Sequence, residues 1–434
     1  MRHLTVVPST SVRPRLLTSS NGSSLSTKTS INANFGIRFV RAALLLLAAG
    51  FAGLAGTAMA ADTNATDGAA RTVATSPDAD AKAPAAIKVP MTAEHWQAES
   101  VAFEKIQGMD AIALHEGGNA IAKDVTLKDG TIEFDVQPMV MGTGMVFRRA
   151  DDKNFEMFYF RPNGKCAESP ACLQYAPQTH NILLWDVFPQ YQVPAPIRDG
   201  EWNHVKLVIS GKRMNMYVNH SATPTLRVGR LEGDATEGSI GLSGPGYFAN
   251  LVVIPNATEG LSAEPEADPT ASDARFVRNW QLSAASELGE GKDPSYSEMP
   301  AASAEWKPIS AELGGLIDIT REYGLPLARP KRSMAWIKTT IDSDKAQTIH
   351  TSMGWVREVW VFVNGKQVYA DKNLFMPPNA RKNPEGRLAL TNGGFDLPLN
   401  AGSNEVAIAV ASNFYGLGVV WRLDSVDGVK FAGK

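Results

Sequence analysis

Charged residues that could carry out chemistry are concentrated between residues 130 and 162, in a stretch that is otherwise mainly hydrophobic. Glu133 and Asp135 stand two positions apart, and Arg148 and Glu156 stand on either side of a polar break. Two carboxylates separated by about 5 Å, or by about 6.5–9.5 Å, cleave the glycosidic bond in most glycoside hydrolases. These residues are therefore either a catalytic or ligand-binding set, or the solvated side of a β-sheet.

Glu133 and Asp135 lie in the segment GTIEFDVQ, which alternates apolar and polar residues from Ile132 to Gln137. A period of two is typical of a β-strand with one buried face. Glu133 is a candidate acid–base residue. An outward polar face on an early strand explains the same pattern, and we favour that interpretation.

Arg148 and Glu156 are predicted to approach each other across a β-hairpin, because the segment RRADDKN joins two strand-like runs. Counting by twos, Val146 shares a face with Arg148, and Glu156 shares a face with Phe158 and Phe160. Aromatic rings stack on the apolar face of a pyranose, while a guanidinium and a carboxylate hydrogen-bond its hydroxyls. The two residues are therefore either part of a sugar-binding platform or a structural cross-strand ion pair.

The segment at 161–200 is longer than a tight connection between strands requires, and long insertions in compact domains are often functional. It supplies four further ligand-binding candidates, Arg161, Tyr175, His180 and Trp185. Its aromatic residues either recognise a carbohydrate at the surface or are buried and anchor the loop. His180 is a candidate general base, although a single histidine is more often a hydrogen-bonding surface residue.

Cys166 and Cys172 lie in the same segment and are the only cysteines of the chain. A structural zinc site needs four ligands, and no second cysteine or histidine pair lies near them. We therefore predict a local disulfide that pins the loop, and we assign no metal.

The N-terminal segment indicates export. Arg38 and Arg41 precede an apolar run that begins at Ala42 and ends in the sequence AMA at residues 58–60. This pattern is typical of a signal peptide cleaved after Ala60. A transmembrane anchor is the alternative, but glycines interrupt the run, and it is short for a span of about 20 residues. We predict a periplasmic or secreted bacterial protein with no membrane span after cleavage.

Composition divides the chain into a leader, two linkers and two strand-rich units. Residues 1–60 are the signal peptide with an extended n-region, and residues 61–88 are a predicted disordered linker. The first unit covers residues 89–256, and an acidic linker at 257–274 precedes the second unit at 275–434. Short alternating runs with turn signals about every ten residues predict that both units are all-β sandwiches.

Two β-hairpins are predicted from their turns, at Gly211-Lys212 in the first unit and at Asn364-Gly365 in the second. Asn-Gly is the strongest short hairpin signal because both residues tolerate a positive φ.

The charge balance argues against a nucleic-acid partner. The chain has 42 Lys and Arg residues and 45 Asp and Glu residues, and it lacks the clustered basic excess of a nucleic-acid surface. Neither unit contains a nucleotide-binding loop, a zinc motif or a nucleophile elbow. The sequence makes no prediction of the oligomeric state.

The first unit resembles the concanavalin A-like lectin/glucanase superfamily, in the branch with laminin-G-like and 3-keto-disaccharide hydrolase domains. The segments that carry this resemblance are LKDGTIEFDV, GTGMVFRRADDKNFEMFYF, DGEWNHVKLVISGKRMNMYVN and EGSIGLSGPGYFANLVV. The resemblance implies a jelly-roll of two curved antiparallel sheets, with ligands on the concave face or at its rim.

The second unit resembles the galactose-binding-like jelly-roll that accompanies many glycoside hydrolases. The segments VREVWVFVNGKQVY, FDLPLNAGSNEVAIAVAS and GLGVVWRL carry this resemblance. Trp355 and Tyr415 lie at turns, where such jelly-rolls bind sugars, and are the binding candidates of this unit. Trp360 and Trp421 lie within alternating strands and are predicted to be core residues.

The family patterns also limit the chemistry. Catalytic concanavalin-like glucanases carry their acids on one strand as E-x-D-x-x-E, and here Glu133 and Asp135 match but Pro138 replaces the third acid. This departure argues against glucanase chemistry. Calcium is common in both families, but no Asp/Asn-rich loop establishes a site here, so we assign no cofactor.

Three functions remain open at this point. The favoured one is an exported carbohydrate-associated protein that binds a glycan or glycoside on the first unit. The second is a glycoside hydrolase or lyase of the 3-keto-glycoside type, with Glu156, His180 or Glu133 as the acid–base residue. The third is a non-catalytic structural or protein-interaction module.

Overall fold

The computed structural model describes residues 85–324 and 331–431, and all of them belong to one compact unit. The predicted signal peptide at 1–60 lies outside the described residues, as does the predicted linker at 61–88 up to residue 84. Among the described residues, no helix is both long and apolar enough to cross a membrane.

Alternation of apolar and polar residues produces an all-β fold, as the sequence predicts. The first β-sandwich is a curled, 14-stranded antiparallel sheet. Its strands are β1 (Ile87–Lys88), β2 (Trp96–Ile106), β3 (Met109–Leu127), β4 (Gly130–Pro138), β5 (Gly144–Arg149), β6 (Phe155–Phe160), β7 (Leu173–Thr179), β8 (Ile182–Leu183), β9 (Gln192–Val193), β10 (Asn203–Ser210), β11 (Arg213–Val218), β12 (Leu226–Val228), β13 (Gly238–Ser243) and β14 (Gly246–Pro255). The strand order is β12-β11-β10-β4-β14-β3-β13-β5-β6-β7-β8, with β1 on β14, β2 on β3 and β9 on β7. Strand β1 lies within the part of the chain that the sequence analysis assigns to a disordered linker.

The second β-sandwich consists of an eight-stranded and a four-stranded antiparallel sheet. Its strands are β15 (Asn279–Ser283), β16 (Ser286–Leu288), β17 (Trp306–Ser310), β18 (Leu316–Asp318), β19 (Arg332–Ser343), β20 (Gln347–Trp355), β21 (Arg357–Val363), β22 (Lys366–Asn373), β23 (Gly393–Leu399), β24 (Gly402–Ser412), β25 (Gly418–Leu423) and β26 (Val429–Phe431). The larger sheet has the order β17-β15-β19-β24-β21-β22, with β16 and β26 on β19, and the smaller has the order β18-β25-β20-β23.

Helical structure is short in the described part of the chain. The single α-helix of residues 85–324 and 331–431, α1, spans Thr320–Tyr323. Turns of 3-10 helix occur at Ala93–His95, Pro189–Tyr191, Tyr296–Glu298, Leu313–Gly315 and Pro378–Ala380.

Both predicted hairpin turns are present. Strands β21 and β22 join through Asn364 and Gly365, whose φ values of 49° and 80° are the left-handed conformation that an Asn-Gly turn favours. Strands β10 and β11 join through Gly211, where a Cβ atom would clash with the carbonyl oxygen of Ala263. Gly211 is therefore required because a later part of the chain packs against this turn.

That later part is the acidic linker predicted at 257–274, and it is held against the first sandwich. The Lys212 amide donates to the Ala263 carbonyl at 2.9 Å, and the Glu266 amide donates to the Gly229 carbonyl at 2.8 Å. These contacts place the linker beside β10, β11 and β12, so it contributes a wall to that surface of the sandwich.

The two sandwiches meet around Trp185, which is 7% exposed. The centroid of its ring lies 5.1 Å from that of Phe375 and 5.5 Å from that of Tyr415, both on the second sandwich. The same hydrophobic cluster includes Val146 on β5 and Met157 on β6. The second sandwich therefore covers the outward face of these two strands.

Asp186 ties the two sandwiches together next to Trp185. Its carboxylate accepts a hydrogen bond from the Gly416 amide at 3.1 Å and lies 3.3 Å from the Arg357 guanidinium. The side chains of Asp186 and Arg357 are 0% and 5% exposed. Burial raises the pKa of Asp186 to about 6, and the Arg357 charge opposes the rise. An ion pair this deeply buried is costly to break from one side.

We expect Arg357→Met to lower the free energy of unfolding by about 3–5 kcal/mol at pH 8, because it leaves the Asp186 carboxylate buried without its cation. Denaturation by urea measures this change. The double variant Arg357→Met, Asp186→Asn should lose less free energy of unfolding than Arg357→Met alone, because it no longer buries an uncompensated carboxylate. A loss below 1 kcal/mol in the single variant would contradict the role of this pair.

Candidate functional site

Arg148 and Glu156 are buried in the first sandwich and do not form a surface platform. They are 1% and 0% exposed. Arg148 pairs with Asp129 at 3.0 Å and donates two hydrogen bonds to the Lys128 carbonyl. No ion pair joins Arg148 to Glu156 among the described residues. Neither the exposed sugar platform nor the direct cross-strand ion pair considered in the sequence analysis is present.

The prediction that Arg148 shares a face of β5 with Val146 is wrong, because the strand is irregular at Arg148. Arg148 has a φ of 46°, and the pairing of β13 with β5 shifts register between Ser239 and Gly241. The alternation of faces therefore does not continue through Arg148. Phe158 and Phe160 do share a face with Glu156, but that face points into the hydrophobic core.

Glu156 is tolerated in the interior because both of its oxygens accept hydrogen bonds. The Tyr175 hydroxyl donates to one oxygen at 2.6 Å, and the Gly233 amide donates to the other at 3.1 Å. Burial raises the pKa of Glu156, while the Tyr175 hydrogen bond and the Arg148 charge oppose the rise. The Tyr175 hydroxyl also accepts from the Glu232 amide at 2.6 Å. Glu156 and Tyr175 thus fix the backbone of the 232–233 loop.

This loop meets the second sandwich through Arg321 of α1. The Arg321 guanidinium donates to the Glu232 carbonyl at 2.9 Å and pairs with Asp234 at 3.0 Å. The Arg321 carbonyl in turn lies 2.9 Å from Nε2 of His180. His180 is exposed but holds the contact between the sandwiches, which is a structural role for this candidate base.

The remaining ligand-binding candidates, three aromatic residues and Arg161, also pack against other parts of the protein. Trp185 and Tyr415 pack on each other where the two sandwiches meet. Trp355 is fully buried in the core of the second sandwich, where its ring packs edge-on against Tyr369 at 5.9 Å. Arg161 donates to the Ala171 carbonyl at 3.0 Å and stacks over a neighbouring tyrosine ring.

The disulfide prediction is confirmed, because Cys166 and Cys172 are bonded with their Cα atoms 5.1 Å apart. The bond closes a short loop at the base of the 161–200 segment. Trp360 and Trp421 are buried, as predicted, with exposures of 3% and 1%.

Glu133 is the one catalytic candidate that lines an open groove. It points outward from β4 together with Asp135, while Ile132, Phe134 and Val136 are buried on the opposite face. The register places Glu133 directly opposite Lys206 on β10, and Lys206 opposite Tyr217 on β11. This open face of three neighbouring strands carries several polar groups in one place.

His204 on β10 connects the two carboxylates. Its Nδ1 lies 3.0 Å from Asp135, and its Nε2 lies 3.5 Å from Glu133. The second oxygen of Asp135 accepts from the Asn250 amide at 2.7 Å. The ring of His204 stacks on the exposed ring of His220, with centroids 4.3 Å apart. Asp135 is thus occupied as a hydrogen-bond acceptor, whereas Glu133 keeps capacity for a ligand.

The linker completes the groove. Glu259 binds Lys206 at 2.8 Å, and the ammonium of Lys206 lies 4.7 Å from the centroid of the Tyr217 ring. The groove has a volume of about 510 Å³. Its lining is formed by Glu133, His204, Lys206, Tyr217, His220, Ser221, Ala222 and Glu259.

Most residues of this groove were not identified from the sequence. His204 and Tyr217 were visible as polar or aromatic positions opposite apolar neighbours in DGEWNHVKLVIS and NMYVNH. Their shared location depends on the strand register and on Glu259, which comes from a segment assigned only as a linker. In the described residues, no group of three or more His, Cys, Asp or Glu side chains is arranged to hold a metal ion.

No family model matches this sequence, and no curated protein matches it. The solved structures similar to it include the carbohydrate binding module CBM66 from Bacillus subtilis, with 16% identity, a TM-score of 0.25 and coverage of 40% of this chain and 94% of that chain.

A second similar structure is a protein of unknown function with a galectin-like fold from Bacillus subtilis. Its identity is 13% and its TM-score 0.32, over 40% of this chain and 97% of that chain. A third is domain 4 of an extracellular arabinanase from Geobacillus stearothermophilus, with 10% identity and a TM-score of 0.25, over 36% and 76% of the two chains. These values carry no argument about function, and the assignment to named superfamilies stays a prediction.

Two buried carboxylates near Arg321 predict a dependence of stability on pH. Burial raises the pKa of Glu232 to about 7, with the Arg230 charge opposing. Burial also raises the pKa of Asp318 to about 7, and nearby Glu312 adds to the rise. Each carboxyl has one oxygen that is buried without a hydrogen bond among the described residues. Both groups are therefore favoured in their protonated form in the folded protein.

Because the folded pKa lies above the unfolded one, this stabilisation is complete below about pH 4 and is lost as pH rises through about 7. We expect the free energy of unfolding to fall by about 1.4 kcal/mol per pH unit for each group between pH 5 and pH 6, and more slowly as pH approaches 7. Urea denaturation at several pH values measures the slope, and Glu232→Gln with Asp318→Asn should reduce it, with the remaining slope due to Asp186.

The matched control replaces two exposed carboxylates, in Asp110→Asn with Asp396→Asn. This control should keep the pH slope of the unaltered protein. An equal slope in the Glu232→Gln, Asp318→Asn variant and the unaltered protein would contradict the assignment.

Proposed function

We propose that this protein binds a carbohydrate in the groove between β4, β10, β11 and the linker. The observation that carries the proposal is the combination of Glu133 and His204 with the rings of Tyr217 and His220 around one open groove. Polar groups that converge beside aromatic rings in a concave site are the usual features of small-molecule recognition.

The chemistry of the groove suits a ligand with many hydroxyl groups. The Glu133 carboxylate accepts hydrogen bonds from hydroxyls, and charged partners make such bonds stronger than neutral ones. The exposed His220 ring offers an aromatic surface to the apolar face of a sugar, while Lys206 occupies one side of Tyr217. The carboxylate gives orientation, and the rings give contact area.

The groove differs from the other places considered for a ligand. Arg148, Glu156 and Tyr175 are enclosed in the first sandwich, and Trp185 is enclosed where the sandwiches meet. A ligand that used these four residues would have to displace packed side chains. The groove around Glu133 is reached without such a change, so it is the better candidate for binding on the first sandwich.

Export to the periplasm or the cell exterior is part of the same proposal. The disulfide between Cys166 and Cys172 supports it, because stable disulfides persist mainly in oxidising compartments. The apolar segment that ends at Ala60 is the sequence signal for export.

A glycoside hydrolase or lyase of the 3-keto-glycoside type is the second candidate function. Asp135 holds one nitrogen of His204 at 3.0 Å, and the other nitrogen lies toward Glu133 and the groove. A carboxylate that orients an imidazole is a common arrangement for general acid–base catalysis. In this alternative, His204 transfers the proton, and the Glu133 carboxylate beside its Nε2 stabilises the protonated ring.

We expect His204→Ala and Glu133→Gln each to weaken glycan binding about tenfold or more, because a charged hydrogen bond contributes about 1.5–3 kcal/mol. A glycan array with the mature protein identifies the ligand, and calorimetric titration then measures its affinity. His350→Ala is the matched control, because His350 forms an exposed pair with Asp396 on the second sandwich. Its affinity should equal that of the unaltered protein. Absence of any glycan binding by the folded protein would refute the proposal.

The hydrolase or lyase alternative predicts turnover of 3-keto-glucosides. If it holds, His204→Ala should reduce kcat about 100-fold or more, the usual contribution of general acid–base catalysis. His180→Ala should retain activity, because His180 lies at the contact with Arg321 and away from the groove. If turnover is unchanged in His204→Ala, His204 is not the acid–base residue.

A further inference from the structure

We propose that the groove around Glu133 continues into a second subsite, around Arg213, that binds an acidic group of the same ligand. This inference rests on the proposed function and names the class of carbohydrate. The neighbouring groove has a volume of about 340 Å³, and its lining includes Arg213, Asn215 and the linker residues 258–262. Tyr217 and Glu259 line both grooves, so the two grooves are adjacent along the sheet.

Strand β11 sets the direction and the length of the extended site. Arg213, Asn215 and Tyr217 are separated by two residues each, so they point to the same face of the strand. With about 3.3 Å per residue, Arg213 lies about 13 Å from Tyr217 along the strand. This distance exceeds a single pyranose ring. The ligand that fills both grooves is therefore an oligosaccharide.

The two ends of the extended site differ in whether their basic side chains form ion pairs. At the shared wall, Lys206 is bound to Glu259 at 2.8 Å, so these two charges largely balance each other. Arg213 has no ion pair among the described residues. Its Nε donates to the Glu264 carbonyl, while its two Nη groups have no hydrogen-bond partner in the described part of the chain.

The unbalanced guanidinium points to the chemistry of the ligand. Guanidinium groups bind carboxylates and related oxyanions through paired hydrogen bonds, which neutral hydroxyls do not reproduce. The Asn215 side chain beside it has no hydrogen bond among the described residues and adds a neutral donor and acceptor. The subsite therefore suits a uronate or a sulfated sugar, two or more units along the chain from the sugar at Glu133.

The test uses the mature full-length protein and acidic oligosaccharides with matched neutral counterparts. Oligogalacturonides, alginate oligomers and sulfated chondroitin oligosaccharides are each compared with their carboxyl-reduced or desulfated forms by calorimetric titration. We expect at least one acidic ligand to bind about tenfold or more tightly than its neutral form. The preference should weaken as NaCl is raised, because salt screens exposed charges.

Arg213→Ala should abolish the preference, so that the acidic and neutral forms bind with equal affinity. Arg213→Lys should retain part of it, which separates loss of charge from a change in the linker contact at Glu264. Arg275→Ala removes a partly exposed guanidinium that pairs with Asp273 and lines neither groove, so it should leave the preference unchanged. His204→Ala should weaken the binding of both the acidic and the neutral form.

The outcomes separate this inference from the proposed function. Equal affinity for acidic and neutral forms, or a preference that survives Arg213→Ala, overturns the acidic subsite and leaves carbohydrate binding intact. Binding of neutral glycans alone would also overturn the acidic subsite and leave carbohydrate binding intact. Absence of binding to any glycan overturns the proposed function and this inference with it.

Discussion

The buried charge of Asp186 is the interaction on which the arrangement of the two sandwiches depends. Its carboxylate accepts from the Gly416 amide and faces Arg357, and its carbonyl accepts from the Leu388 amide at 2.8 Å. All three partners belong to the second sandwich. A carboxylate in the interior is stable only when its charge and hydrogen bonds are matched. The contacts of Asp186 therefore favour the docking geometry that encloses Trp185.

The docking decides which surface of the first sandwich is left for a ligand. Strands β5 and β6 turn their outward side chains toward the second sandwich, so this face is covered. The outward face of β4, β10 and β11 stays open, and the linker crosses beside it on its way to the second sandwich. The linker therefore joins two sandwiches and also supplies Glu259 to the groove.

Much of the fold follows from local sequence patterns, because alternation and turn residues act over a few positions. The run from Ile132 to Gln137 has the predicted buried and exposed faces, and Asn364 with Gly365 forms the predicted turn. The disulfide follows from two cysteines that are close in sequence. The prediction fails at Arg148, because a positive φ and a register shift interrupt the alternation on which counting by twos relies.

By itself, the sequence determined the all-β class, the hairpins, the disulfide and the outward position of Glu133. Each of these depends on residues near one another in the chain. Only the tertiary structure decided that Glu156 serves the core, that Trp185 is enclosed, and that Glu133, His204 and Glu259 share a groove. These outcomes depend on strand register and on the docking of two sandwiches, which bring together residues far apart in sequence. Local patterns carry no information about such distant pairings.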